Sequence, residues 1–181
     1  PMRVLHLDGN HGQSAALAAG FRAARGDWVV TMDGDLQNAP EDVPKLVAAV
    51  TPELGCVAGY RLRRNDPWIR RISSKIANGV RNRLSHETIR DTGCSLKLFR
   101  KEVLDQIKFY DGLHRFLPTL VKMEGWPVRE VPVDHFPRQA GSSKYGIRNR
   151  LFKSLGDLMA VRWMQKRHLN FTVREVKEPV S

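Results

Sequence analysis

Cysteine is nearly missing from this chain of 181 residues: Cys56 and Cys94 are the only two. Two thiols cannot build a disulfide framework, so a reducing compartment is expected. Acidic side chains are also scarce, 19 Asp+Glu against 30 Lys+Arg, which leaves a net charge of +11. That excess calls for an anionic partner: nucleic acid, an anionic membrane surface or a phosphorylated substrate. No apolar run approaches the roughly 18 residues that span a bilayer. The first residues, Pro1 to Leu7, lack the long apolar stretch of a signal peptide. Repeats and low-complexity segments are absent. Integral-membrane, secreted disulfide-rich and fibrous classes are thereby set aside. With 41% hydrophobic residues, four Trp and seven Phe, the chain can bury one domain's core.

The charge is concentrated. Arg61 to Arg83 holds eight basic residues and one acid, Asp66. Arg138 to His168 again holds eight basic residues and one acid, Asp157. Each block nets +7, so the rest of the chain nets −3. Basicity confined to two segments points to sites, not to general solubility.

Val4–Leu7 reads as a short strand and Ser14–Ala24 as an Ala-rich helix that Gly26 is placed to stop. Trp28–Met32 is a continuous apolar run, the pattern of a strand buried on both faces. Asn38–Asp42 caps the next helix, with Pro40 in its first turn and acids where the helix dipole favours them. That helix runs to about Val50, and Cys56–Tyr60 is a further strand. A β-α-β-α-β run with short connections predicts an α/β fold with a mostly parallel sheet flanked by helices. Beyond it lie a basic helix over Trp68–Leu84, a turn at Asp91–Gly93 and a strand at Ser95–Phe99. Helices follow over Glu102–Ile107 and Arg115–Met123, then a strand over Val128–Val133 with an edge Pro. Gln139–Lys144 has no periodicity and reads as a mobile loop. From Ile147 onward, Ile147, Leu151, Leu155, Leu158 and Met159 recur at helical spacing among basic residues. The expected organisation is a main domain over 1–146, an amphipathic helix over 147–169 and a tail over 170–181.

The most informative stretch is Asp33-Gly34-Asp35-Leu36-Gln37, which follows directly on the Trp28–Met32 strand. In open α/β sheets, ligands bind off the carboxyl ends of the strands. Asp33 and Asp35 can offer oxygens to one hard cation, Mg²⁺ or Mn²⁺, with the Gln37 amide oxygen nearby. Gly34 is expected to let the backbone fold tightly. A cation held by two or three protein oxygens keeps positions open for diphosphate oxygens. The alternative is an acidic turn capping the next helix.

Val29 to Glu41 resembles the Asp-x-Asp segment of family 2 glycosyltransferases, and more narrowly of the polyprenyl-phosphate sugar transferases of the dolichol-phosphate mannosyltransferase type. Asn10–Ala16, Asp91–Cys94, His114–Phe116 and Arg138–Tyr145 are similar to that family's other motifs in the same order. The resemblance implies a GT-A-like, Rossmann-like fold and metal-dependent, inverting transfer of a sugar from a nucleotide-sugar donor to a polyprenyl phosphate. Asp33, Asp35 and Gln37 are then the metal ligands, and Asp35 and Asp91 face the reacting groups. Arg138 and Lys144 bracket a loop that closes on the donor diphosphate. Arg61, Arg70 and Ser74 fall where the family holds the acceptor phosphate. Arg70 and Ser74, four apart, share one face of a helix, and an Arg fork with a hydroxyl suits a phosphate monoester. Family members begin with a further strand-helix-strand portion that helps bind the base, and this chain is expected to start after it.

Asp91 also reads as a turn former before Gly93, His114 as a structural histidine, and Cys94 as a small buried residue rather than a nucleophile. The helix from Ile147 suits either an anionic membrane surface or packing on its own domain or a second subunit, so a homo-oligomer stays open. Peripheral attachment to the cytoplasmic face is expected. The readings from other classes are a basic nucleic-acid-binding domain and a non-enzymatic transferase-like scaffold. The nucleic-acid reading is weakened by the absence of a recognised motif, by basic runs without interleaved aromatics, and by a carboxylate pair that would repel phosphate without a metal.

Overall fold

The structure, a computed structural model, describes residues 2–61, 79, 89–137, 147–169 and 171, with only the backbone for 147–153. Two expected features, the basic helix over Trp68–Leu84 and the loop over Gln139–Lys144, lie outside the described residues, save Gly79. So do Arg70, Ser74, Arg138 and Lys144.

The elements are α1 (Gly12–Ala23), β1 (Trp28–Thr31), α2 (Val43–Ala48), β2 (Cys56–Arg61), β3 (Lys97–Arg100), α3 (Lys101–Gln106), α4 (Leu117–Met123), β4 (Val128–Val133) and α5 (Ile147–Arg167). A 3-10 turn over Pro40–Asp42 precedes α2, and another over Leu113–Phe116 precedes α4. The sheet order is β1-β3-β2-β4. Three of the four strands run the same way, but β3 opposes them and lies between β1 and β2. Only β2 and β4 pair in parallel, Cys56 opposite Val128 through Arg61 opposite Val133. The sheet is therefore mixed α/β. The local β-α-β-α-β pattern could not show a later strand inserting between its members.

Two sequence expectations give way. Val4–Leu7 forms no strand, and Val4, Leu5 and Leu7 are exposed. Trp28–Thr31 is the edge of the described sheet, bonded only to β3, and Val30 is 38% exposed. A continuous apolar run says that neither face is polar; it does not say that both faces are covered.

The sheet separates two apolar layers. On one face Cys56, Ala58 and Phe99 pack with Phe21 of α1, Val103 and Leu104 of α3, Leu117, Leu120 and Val121 of α4, and Leu158 and Val161 of α5. On the other, Val57, Leu96, Leu98 and Val133 meet Leu46 of α2 and Leu54. The alternation of β3 explains the division: Leu96 and Leu98 point one way, Lys97 and Phe99 the other. Asp42 does not cap α2 with its side chain. It is 2% exposed and instead accepts the Asp134 backbone N–H at 2.6 Å, tying α2 to the end of β4. Arg100 closes the opposite end of the sheet. Its guanidinium lies 4.9 Å from the Trp28 ring centroid and 5.0 Å from that of Trp126, and its Nε donates to the Leu54 carbonyl at 3.0 Å.

Gly59 lies at the centre of β2, where an added Cβ would lie 2.8 Å from the Leu96 carbonyl oxygen and 3.0 Å from Val133. Overpacking of that kind costs about 1–3 kcal/mol. Gly20, inside α1, has nothing within 4 Å of its Cβ position. There alanine should stabilise by about 0.5–1 kcal/mol. Urea denaturation should place Gly59→Ala below and Gly20→Ala above the native protein; equal midpoints would contradict the packing described here.

Candidate active site

The Asp-Gly-Asp segment leaves the carboxyl end of β1 as a turn anchored from two sides. Ser95, just before β3, takes the Asp33 backbone N–H at 3.2 Å and the Asn38 side-chain amide at 2.7 Å on its hydroxyl oxygen. The Thr31 hydroxyl donates to the Ser95 carbonyl at 2.7 Å. From α1, the Gln13 amide donates to Asp33 Oδ1 at 3.2 Å. Asp33 is thus oriented while its carboxylate stays exposed. Asp35 Oδ1 accepts the Gln37 backbone N–H at 3.2 Å. Gln37 is in turn joined to Phe136, whose N–H donates to the Gln37 carbonyl at 2.9 Å. The Gln37 side-chain amide reaches the Phe136 carbonyl at 3.4 Å, and Asn38 bridges His135.

The unusual backbone conformation of this turn is not at Gly34. The left-handed residue is Leu36, with φ 59°, the only non-glycine at positive φ among the described residues. Gly34 has open space at its Cβ position, and the strain falls two residues later.

Two carboxylates flanking a glycine at a strand end, with an amide oxygen two residues on, are a hard-oxygen donor set that fits Mg²⁺ or Mn²⁺. Among the described residues, no group of three or more His, Cys, Asp or Glu could enclose a metal ion. The fit is to an open site in which a ligand completes the coordination, not to a closed structural one.

Beside Asp33 opens a cleft of about 240 Å³, lined among others by Gln13, Thr31, Thr92, Lys97, His114 and Arg115. Five of these residues come from motifs that the sequence singled out; Lys97 does not. Lys97 gave no signal in the sequence because a strand's alternation does not reveal which inward residue ends in a charge. His114 Nδ1 lies 2.8 Å from the Ser14 hydroxyl, which also accepts the Gly112 N–H at 3.1 Å. Burial, with Arg115 adding to it, lowers the His114 pKa to about 4, so the imidazole is neutral near pH 7. Arg115 faces α5, donating to the Ser154 hydroxyl at 2.6 Å.

Asp91 and Arg61 are brought together. Arg61 Nε donates to Asp91 Oδ2 at 2.6 Å and Nη2 to Oδ1 at 2.9 Å, a bidentate pair with both side chains largely buried. The backbone N–H groups of Arg61 and Gly93 add bonds to Asp91 Oδ2 at 3.3 Å and Oδ1 at 3.1 Å. An added Cβ at Gly93 would lie 3.1 Å from Arg61 Nη2, so a larger residue would press the guanidinium by a few tenths of an ångström. Both cysteines are buried. Desolvation raises both thiols, Cys56 to about 12, so neither is a nucleophile at neutral pH.

With this geometry in place, comparison with known proteins decides the family. Glycosyl transferase family 2 is matched by residues 1–108. The chain belongs to that family. It is 38% identical over 169 residues to the dodecaprenyl-phosphate galacturonate synthase of Rhizobium johnstonii, covering 91% of this chain and 50% of that protein. It is also 38% identical over 141 residues to the undecaprenyl-phosphate 4-deoxy-4-formamido-L-arabinose transferase of Edwardsiella ictaluri, covering 78% and 43%. This glycosyltransferase domain thus spans about half the length of those relatives. Among solved structures, glucosyl-3-phosphoglycerate synthase of Mycobacterium tuberculosis, crystallised with Mn²⁺ and UDP-glucose, superposes with a TM-score of 0.63. That match has 17% identity and covers 91% of this chain and 57% of that one. The fold is thereby of the GT-A type.

The pKa of His114 carries a pH signature. Its folded pKa lies below the unfolded value of 6.5. The unfolded chain therefore takes the proton first, and the stability held by the neutral ring is complete above about pH 6.5 and lost as pH falls toward about 4. Between pH 7 and 5, urea denaturation should show the native domain losing more stability than His114→Gln. Parallel profiles would mean that the ring is not held neutral.

Proposed function

We propose that this domain transfers a sugar from a nucleotide-sugar donor to a polyprenyl phosphate, inverting the anomeric centre. The observation that carries the reading is the Asp33–Gln37 turn, fixed at the carboxyl end of β1 beside a cleft, in a chain whose relatives are named as polyprenyl-phosphate sugar transferases. In this reading Asp33, Asp35 and Gln37 hold Mg²⁺ or Mn²⁺, which would neutralise charge on the departing nucleoside diphosphate. Arg138 and Lys144 would bind the same diphosphate.

A lipid phosphate oxygen is already an anionic nucleophile at neutral pH. The protein's task is then positioning more than proton abstraction. Arg61, Arg70 and Ser74 would hold that phosphate. The Arg61–Asp91 pair supports a division of labour: Asp91 acts by presenting the guanidinium in a fixed orientation, because a bidentate carboxylate removes the freedom of a long side chain. Family membership favours this reading of the basic charge over nucleic-acid binding or a non-enzymatic scaffold.

The acceptor's lipid tail brings in the membrane. Each CH₂ drawn into water costs about 0.8 kcal/mol, so the domain must come to the bilayer. No described helix is long and apolar enough to cross it. α5 has two faces: Leu158 and Val161 are buried in the core, while Leu155, Met159 and Trp163 are exposed at 48%, 57% and 62%. The exposed three recur every fourth residue, beside Arg162, Lys166 and Arg167. We assign that stripe to peripheral contact with the anionic, cytoplasmic face of the membrane.

Two measurements test the proposal. Calorimetry of the full-length protein with UDP and with GDP should show binding to one of them that needs Mg²⁺ or Mn²⁺ and that Asp35→Asn removes; binding unaffected by metal would sink the site. Vesicle sedimentation should show association that grows with anionic lipid, weakens with salt and drops in a Met159→Ser, Trp163→Ser variant. Undiminished binding by that variant would take the stripe out of the interface.

A further inference from the structure

We infer that Lys97 and His114 form a two-donor recognition pair for a substrate oxyanion, either a carboxylate on the donor's sugar or the phosphate of the acceptor, in the cleft beside Asp33. The inference rests on the transferase reading and deepens it.

Lys97 is 4% exposed, yet it lines the cleft. Its ammonium donates to the Thr92 carbonyl at 3.4 Å and to the Cys94 carbonyl. No carboxylate among the described residues stands within ion-pair distance of it. An ammonium has three donors and a full charge. Two neutral carbonyls satisfy part of the first, Asp91 and Asp33 act on the second only from beyond ion-pair distance, and burial without a close counter-ion is costly and lowers the lysine's pKa. A methionine would fill the same space without that cost. The position is therefore explained by what enters the cleft rather than by the fold.

His114 supplies the second donor. The Ser14 hydroxyl accepts the Gly112 N–H, and Ser14 is buried. Its single proton is best placed on His114 Nδ1, 2.8 Å away. On that assignment the neutral ring carries its hydrogen on Nε2. The ring then offers the cleft an N–H donor and no basic lone pair.

Three of the other polar side chains that line the cleft are already bonded, and the Asp33 carboxylate stands at its rim. Gln13 is bonded to Asp33, Thr31 to the Ser95 carbonyl and Arg115 to Ser154. A group that accepts two hydrogen bonds and carries negative charge complements what is left. A sugar hydroxyl could accept the bonds but would leave the ammonium uncompensated.

The experiment uses the full-length protein with Lys97→Met, Lys97→Arg and His114→Gln. Donor discrimination is read from calorimetry with UDP-glucuronate against UDP-glucose, and with GDP-mannuronate against GDP-mannose, in Mn²⁺. Acceptor KM is read with undecaprenyl phosphate. Lys97→Met should weaken the anionic ligand by about 10–150-fold, the range for one charge-assisted hydrogen bond. The other substrate should move less than about threefold, and Lys97→Arg should recover part of the loss. Loss of uronate discrimination identifies the sugar carboxylate; a raised acceptor KM with donor discrimination intact identifies the phosphate. If Lys97→Met and His114→Gln lower only thermal stability or kcat and leave both affinities in place, the pair is structural and the inference is overturned. Native protein that binds neither UDP nor GDP with metal would overturn the transferase reading itself, a result distinct from intact nucleotide binding that ignores Lys97.

Discussion

The hydroxyl of Ser95 is the point on which the site depends. It sits on the approach to β3, the one strand that opposes its neighbours, and holds Asp33 through its backbone and Asn38 through its amide. The geometry follows from topology. Because β3 runs antiparallel between β1 and β2, its beginning lies beside the carboxyl ends of both. The segment Asp91–Ser95 that leads into it is delivered to the place where the carboxylate turn leaves β1. A parallel strand in that position would have brought its other end there. The single departure from the expected parallel sheet is thus what joins the Asp91 motif to the Asp33 motif, which 57 residues of chain separate.

What could be read in the sequence was local. Val128–Val133 is bounded as its alternation and edge proline predict, and α1, α3 and α5 fall within a residue or two of their apolar patterns. The carboxylate pair was legible because strand end, glycine and acids are adjacent in the chain. What was not legible depends on partners far away. The exposure of Val30 reflects which neighbour β1 has, a property of the sheet and not of the strand. The Arg61–Asp91 pair joins residues thirty apart, and nothing in either motif says that the arginine is held by the acid. Asp42 sits where a capping acid belongs, but its buried carboxylate is taken up instead by the backbone N–H of Asp134, just past β4, and by Lys45.

The C-terminal helix shows why a pattern can support two readings at once. Its apolar positions are too many for one face. Leu158 and Val161 complete the core against α4, and the stripe of Leu155, Met159 and Trp163 lies on the side away from it. Packing and surface contact are therefore complementary uses of one helix. Arg115 reaches Ser154 from the 3-10 turn that also carries His114, so the helix proposed to meet the membrane is bonded to the wall of the cleft.

The electrostatic layout of the cleft separates signs. Carboxylates sit on the exposed turn at its rim, where a hydrated divalent ion can reach them, while the ammonium of Lys97 lies buried beneath, bonded to carbonyls of the Asp91–Ser95 segment. Had the cation stood at the rim it would pair with Asp33 and compete with a metal. Placed below, it leaves the carboxylates available and sets a basic group inside a low-dielectric wall, where burial lowers its pKa and screening by salt is weak. Holding the rim in shape has its own cost. Leu36 adopts a left-handed backbone that disfavours a residue with a Cβ by roughly 1–2 kcal/mol, and it is 63% exposed, so its side chain recovers little by burial. The strain persists because the turn is over-determined: Ser95 and Gln13 fix Asp33, and Phe136 fixes Gln37. Strained backbone so held, directly after the second carboxylate of a turn at a strand end, is what the proposed ligand site would require and what the stability of the fold does not.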